Sequence, residues 1–146
     1  MEETRPYRFK ISLRFRHPKM GLSGCSSEFG LVPTRQWSVG QERTSPRGKP
    51  LEGLWEESYW TTSLEIDPDE AIEIALVRIA QWLSRHESFL STHNISGGSA
   101  GLFIGFFLEG FNSGFLLEPS LLAQYTLLGV ALEFDLYGLC DAPDAP

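Results

Sequence analysis

The sequence predicts an α+β fold: a two-layer sandwich in which one mixed or antiparallel sheet of about six strands carries two main helices packed on one face. Three observations carry that expectation. Leu102 to Leu108 reads Leu-Phe-Ile-Gly-Phe-Phe-Leu with no polar side chain, so neither of its faces belongs in water. The run is too short to cross a bilayer, and its aromatic content suits a buried central strand better than a helix. Tyr7 to Arg16 alternates, with Tyr7, Phe9, Ile11, Leu13 and Phe15 on one side and Arg8, Lys10, Ser12, Arg14 and Arg16 on the other, the period of a half-buried strand. Ile72, Leu76, Ile79 and Leu83 recur at helical spacing behind a strong helix-start signal.

Taken in order, the elements follow from local chemistry. His17 to Gly30 contains Pro18, three Gly and three Ser and reads as a connection, with any helix over 20–29 poorly supported. Arg35 to Val39 is a short strand between Pro33 and Gly40. Gln41 to Gly53, polar and broken by Pro and Gly, is a surface loop or a wide hairpin connection. Leu54 to Leu64, with Trp55, Tyr59, Trp60, Thr61 and Thr62, is the third strand.

Asp67-Pro-Asp-Glu70 sets an Asp at the cap, Pro at the first helical position and Glu at the third, which starts a helix running to about His86 or Leu90. Ser91 to Gly101 is a loop leading into the central strand. Gly110 to Gly114 is a turn, and Phe115 to Leu117 a short return strand. The second helix spans Pro119 to Leu128, with Pro in its first turn and Gly129 just past its end. Val130 to Tyr137 is the last strand. One domain covers 1–146, with an ordered core over about 7–138 and a mobile tail over 139–146.

Composition narrows the classes of function. With 42% hydrophobic and 21% charged residues the chain is an ordinary globular protein, large enough to bury a core without disulfides or a structural metal. No secretory leader is visible after Met1, no segment reaches membrane-spanning length, and Cys25 and Cys140 stand alone, so the expected address is the cytoplasm with both thiols reduced. A net charge of −7 argues against broad nucleic-acid binding. The charge is uneven: residues 1–50 hold ten Lys or Arg against four Glu, and residues 51–146 two Arg against fifteen acids.

No catalytic set emerges. Of the three histidines, His17, His86 and His93, the last two are seven apart at the end of a helix, the wrong spacing for a two-ligand face, and read as solvated helix-end side chains rather than a metal site. Gly48-Lys49-Pro50 lacks the flanking residues of a phosphate loop. Asp67, Asp69 and Glu70 are explained by capping. Glu133 and Asp135 lie on one face of the last strand, where pairing with the basic face of the first strand competes with a catalytic role. What remains is a constellation of Arg35, Trp37, Arg43, Arg47, Lys49, Trp55, Tyr59 and Trp60. These are residue types that anchor interfaces, because a guanidinium forks onto carboxylates or stacks on rings and an indole buries a large rigid area.

Several patches also carry a resemblance. Leu31-Val-Pro-Thr-Arg-Gln-Trp-Ser-Val-Gly40, Gly48-Lys-Pro-Leu-Glu-Gly53 with Ser58-Tyr-Trp60, and Gly114-Phe-Leu-Leu with Leu132-Glu-Phe-Asp-Leu-Tyr137 resemble the bacterial domain-of-unknown-function family catalogued as 4279, from about Tyr7 to Gly138. The resemblance implies a small bacterial α+β domain and brings no catalytic residues with it. Met20 to Phe29 departs from the family where a better helix is expected.

Two functional readings stay open. The first is a non-enzymatic protein-binding module of immunity or inhibitor type, needing no cofactor or metal, whose partner is another protein or a second copy of itself. The acidic C-terminal two-thirds would mask a basic partner. The second is a small anionic-ligand-binding domain with a cleft lined by Arg35, Arg43, Trp55 and Trp60, with chemistry at Asp135 or Tyr137.

Overall fold

The alternation of Tyr7 to Arg16 becomes a strand, β1 (Tyr7–His17), in a computed structural model that describes residues 7–138. The expected tail over 139–146, and Cys140 in it, lie outside the described residues. The remaining elements are α1 (Ser23–Phe29), β2 (Arg35–Trp37), β3 (Glu42–Thr44), β4 (Pro50–Leu54), β5 (Ser58–Ser63), α2 (Ile72–Ser84), α3 (Glu87–Ile95), β6 (Ser99–Leu108), α4 (Pro119–Leu128) and β7 (Val130–Tyr137). Five strands form a mixed sheet in the order β2-β5-β1-β6-β7, and β3 pairs with β4 in a separate two-stranded sheet. The fold is α+β, as the sequence predicts.

β1, not the apolar run, is the middle strand. It pairs antiparallel with β5 on one side and with β6 on the other, Tyr7 opposite Leu108 and Phe15 opposite Ala100. β6 lies second from the edge, with β7 parallel to it. A parallel neighbour needs a crossover, which α4 supplies between the turn at Gly110 and the αL cap at Gly129, where φ is 68°.

All four helices among the described residues cover the same face. Phe29 of α1 packs on Phe15, and Ser26 accepts the indole N–H of Trp60 at 2.9 Å. The first amide of α2, Ile72, donates to the Tyr7 hydroxyl at 3.2 Å, so a helix-end donor finds its partner on β1. His93 of α3 meets Phe15 edge to face, and the Tyr125 hydroxyl of α4 donates to the Leu76 carbonyl of α2 at 2.6 Å. Between sheet and helices lie Ile11, Leu13, Phe15, Trp60, Leu76, Leu83, Leu102 and Ile104, all buried.

Several sequence expectations are corrected. Asp67 to Glu70 closes a turn: Asp69 N donates to Asp67 Oδ1 at 2.9 Å and Glu70 N to the Asp67 carbonyl at 2.9 Å. α2 starts only at Ile72. Pro68 fixes a φ that suits a turn as well as a helix, and Glu70 is claimed by the fork of Arg78, with two contacts of 2.8 Å, instead of by a helix end. α2 stops at Ser84, and a separate helix, α3, runs on into the first half of the expected loop, with Leu90 and His93 turned into the core. The short α1 forms in the Gly/Ser-rich connection because Cys25 and Phe29 are buried, packing that outweighs poor propensity.

The expected third strand is two: Leu54 ends β4 and only Ser58–Ser63 joins the main sheet. The stretch from Gln41 to Gly53 is a hairpin, closed by a Pro46-Arg47-Gly48 turn in which Ser45 N donates to the Lys49 carbonyl and Gly48 takes φ 85°. Phe115 to Leu117 forms no strand; Phe115 instead packs on Phe106 and Phe134.

Candidate binding surface

With one sheet face under helices, the other is left to side chains alone. Strand pairing arranges it in rows: Trp37, Tyr59 and Arg16; Arg35, Thr61, Arg14, Gly101 and Ala131; Ser63, Ser12, Phe103 and Glu133; Lys10, Gly105 and Asp135; Arg8, Phe107 and Tyr137. Phe103 and Phe107 are therefore not sealed by a second layer, as an unbroken apolar run implies, but by arginines lying on them. The Arg14 guanidinium sits 3.7 Å above the Phe103 ring, and Arg8 is 5.7 Å from the centroid of Phe107, which stacks on Tyr137 at 4.7 Å. Such contacts combine cation–π attraction with cover from the aliphatic stem.

The basic face of β1 does meet carboxylates, mostly other than those expected. Arg8 pairs with Glu109 at 2.9 Å and Arg16 with Glu57 at 3.3 Å. Only Arg14 reaches Glu133, at a loose 3.9 Å, crossing β6 where Gly101 offers no side chain to block it. Its Nε is buried and has no hydrogen-bond partner among the described residues.

At the β2 end the hairpin folds back onto this face. Trp55, just past β4, stacks on Trp37 at 3.7 Å, and Trp37 stacks on Tyr59 at 4.6 Å, burying the latter. Arg35 lies 4.7 Å from the Trp37 ring and donates to the Thr44 carbonyl at 2.7 Å; Arg43 lies 5.3 Å from Trp55 and donates to the Glu52 carbonyl at 3.1 Å. The Trp37 indole donates to the Glu57 carbonyl at 3.0 Å. An open groove here is lined by Pro18, Trp37, Arg43, Trp55, Glu56 and Glu57.

The sequence constellation thus divides. Arg35, Trp37, Arg43, Trp55 and Tyr59 come together. Arg47 and Lys49 are exposed on the hairpin turn, away from them. Trp60 is fully buried on the helix-covered face and lines no cleft. Asp135 and Tyr137 lie on β7, at the far edge of the sheet, where Tyr137 donates its hydroxyl to Asp135 and that bond raises the phenol pKa. Arg8, Arg14, Arg16, Phe103 and Phe107 join the surface through pairing alone. Their signal in the sequence was the charged parity of β1 and the Gly/Phe parity of β6.

Of the three histidines, His17 and His93 are buried and His86 is partly exposed. His17 is buried: Lys19 N and Met20 N both donate to Nδ1, so the proton is on Nε2, which donates to Ser96 Oγ at 3.0 Å. His93 bonds the Ser99 carbonyl at 2.9 Å, and its burial pushes its pKa down. His86 pairs with Glu28 at 2.7 Å. His17, His93 and Cys25 line an apolar cavity of about 160 Å³, and burial pushes the Cys25 thiol up to about 12. Among the described residues no three of His, Cys, Asp or Glu are grouped to hold a metal ion, and no helix is long and apolar enough to cross a membrane.

Comparison with protein families matches residues 7–139 to the model described as a domain of unknown function, DUF4279. Comparisons with curated proteins and with solved structures each return no match.

Proposed function

The chain belongs to the DUF4279 family, a domain of unknown function, and from that premise we propose that it is a non-enzymatic binding module whose helix-free sheet face meets another protein. The observation that carries this reading is the face itself: Arg8, Lys10, Arg14, Arg16 and Arg35 interleaved with Trp37, Phe103, Phe107 and Tyr137, with no helix over them. Arg, Trp and Tyr dominate interface hot spots, and a flat field of them held by strand pairing is preorganised. A bacterial, cytoplasmic setting goes with it, one in which the buried thiol of Cys25 stays reduced. An immunity or inhibitor role, acting by masking a partner, is the form this activity takes.

The test is capture from native bacterial lysate at low salt, where charge attraction is strongest, comparing the wild-type chain with Arg8→Glu/Lys10→Glu. A partner held by the wild type and lost by a variant of unchanged melting temperature supports the reading. No partner, or equal capture by the variant, overturns it.

The groove beside Trp37, Arg43 and Trp55 favours a second reading, a small anionic ligand. Against it, Arg35 and Arg43 already serve main-chain carbonyls and Glu56 and Glu57 share the lining. A thermal-shift screen of anionic metabolites in which no hit depends on Arg43 removes it.

A further inference from the structure

β7 ends the main sheet, pairing with β6 on one side only. The Ala131 carbonyl points toward β6, 3.3 Å from where a Cβ on Gly101 would lie. Along a strand the N–H and C=O of one residue share a side, and that side alternates. Ala131, Glu133 and Asp135 therefore serve β6, while Leu132, Phe134 and Leu136 aim their amides and carbonyls out of the sheet. Among the described residues no backbone group bonds to them from that side. The opposite edge is protected: β2 is three residues long, and the hairpin is tied beside it through Arg35. β7 offers eight residues, enough to template another strand.

The two sides of this edge specify what fits it. On the helix-free side stand Glu133 and Asp135; on the other, Leu132, Phe134 and Leu136, the last 67% exposed. We propose that β7 takes up an extended segment of a partner protein in which Lys or Arg alternates with apolar residues, the cations beside Glu133 and Asp135 and the apolar side chains beside Leu132 to Leu136. Strand addition gains affinity from main-chain bonds and specificity from alternate side chains. A second copy of this chain fits poorly. Antiparallel pairing about Phe134 sets Glu133 against the copy's Asp135, and pairing about either acid sets it against itself, so like charges oppose in these three registers, which include those that overlap the two strands most. This inference rests on the protein-binding reading and names the partner's chemistry at one margin of the same face.

The test uses the whole chain and blocked peptides as long as β7: one alternating Lys and Val, one alternating Glu and Val, and one with the Lys and Val in separate blocks. Binding is read by anisotropy, and hydrogen exchange of single amides by NMR. The expected result is binding of the Lys/Val alternation with slowed exchange at Leu132, Phe134 and Leu136. Glu133→Lys/Asp135→Lys weakens it about tenfold or more. Leu136→Pro, which removes an outward N–H while sparing the β6 ladder, abolishes the protection. Binding without protection of those amides, equal binding of the block or Glu/Val peptides, or concentration-dependent protection in the free chain overturns the proposal. A lysate partner captured equally by the wild type and Leu136→Pro would sink the edge and leave the binding module standing. Failure of the module appears instead as no partner captured, or as equal capture by Arg8→Glu/Lys10→Glu.

Discussion

Trp55 stacks on Trp37 at 3.7 Å and 11° from parallel, although Trp37 is in the main sheet and Trp55 belongs to no strand of either sheet. That contact, with the guanidinium bonds of Arg35 and Arg43, holds the β3–β4 hairpin against the sheet.

Replacing Trp55 with Ala is therefore expected to loosen the hairpin before the core. Trypsin should cut after Arg47, in the hairpin turn, faster, while global stability falls by only about 1 kcal/mol, the worth of an aromatic pair. Limited proteolysis and urea unfolding separate the two effects. An unchanged cutting rate would mean that the stack does not hold the hairpin.

The burial of His93 gives stability a pH dependence. Its pKa is lowered in the folded chain, chiefly by desolvation, so below the unfolded value of about 6.5 the unfolded chain binds the proton first. Stability is complete above that value and is lost as pH falls below it. His93→Gln, which can still donate to the Ser99 carbonyl, should lose less stability than the wild type between about pH 7.5 and 5.5 in urea titrations.

Gly98 lies against the same ring. A Cβ there would sit 2.8 Å from His93 Nδ1 and nearer still to Cε1 and Nε2. Because the ring is buried and tied to Ser99, it has little room to yield. Gly98→Ala should cost about 1–3 kcal/mol by overpacking, measured by thermal or urea unfolding, and His93→Ala should relieve most of that cost.

Cys25 should resist alkylation. Its thiol is buried and pushed up to about 12, so almost no thiolate exists at neutral pH. Iodoacetamide followed by peptide mapping should leave Cys25 unmodified in the native chain and modify it once urea unfolds the protein. Rapid native labelling would show that the cavity beside His17 opens.

Where local chemistry decides structure, the sequence was readable. The parity of Tyr7 to Arg16 gave β1 and its faces, and Pro119 with Gly129 bracketed α4. Where packing decides, it was not. Nothing in Ser23–Phe29 favours a helix except the burial of Cys25 and Phe29, and nothing in Glu87–Ile95 tells helix from loop until Leu90 and His93 are placed in the core. The site shows the same division. Arg35, Trp37, Arg43 and Trp55 gathered as their closeness in sequence implies. Trp60 went inside because its position along β5 sets it opposite Phe15, on the helix-covered side. Arg14 and Phe103 became neighbours only through a pairing of strands some ninety residues apart.

That pairing also sets the order of assembly during synthesis. β1 leaves the ribosome before both its partners, Ser58–Ser63 and Ser99–Leu108, so the middle of the sheet cannot close until β6 has been made. Until then a nascent strand of alternating grease and cation waits without a mate, and a chain halted before β6 would be substrate for chaperones and proteases, not a smaller folded unit.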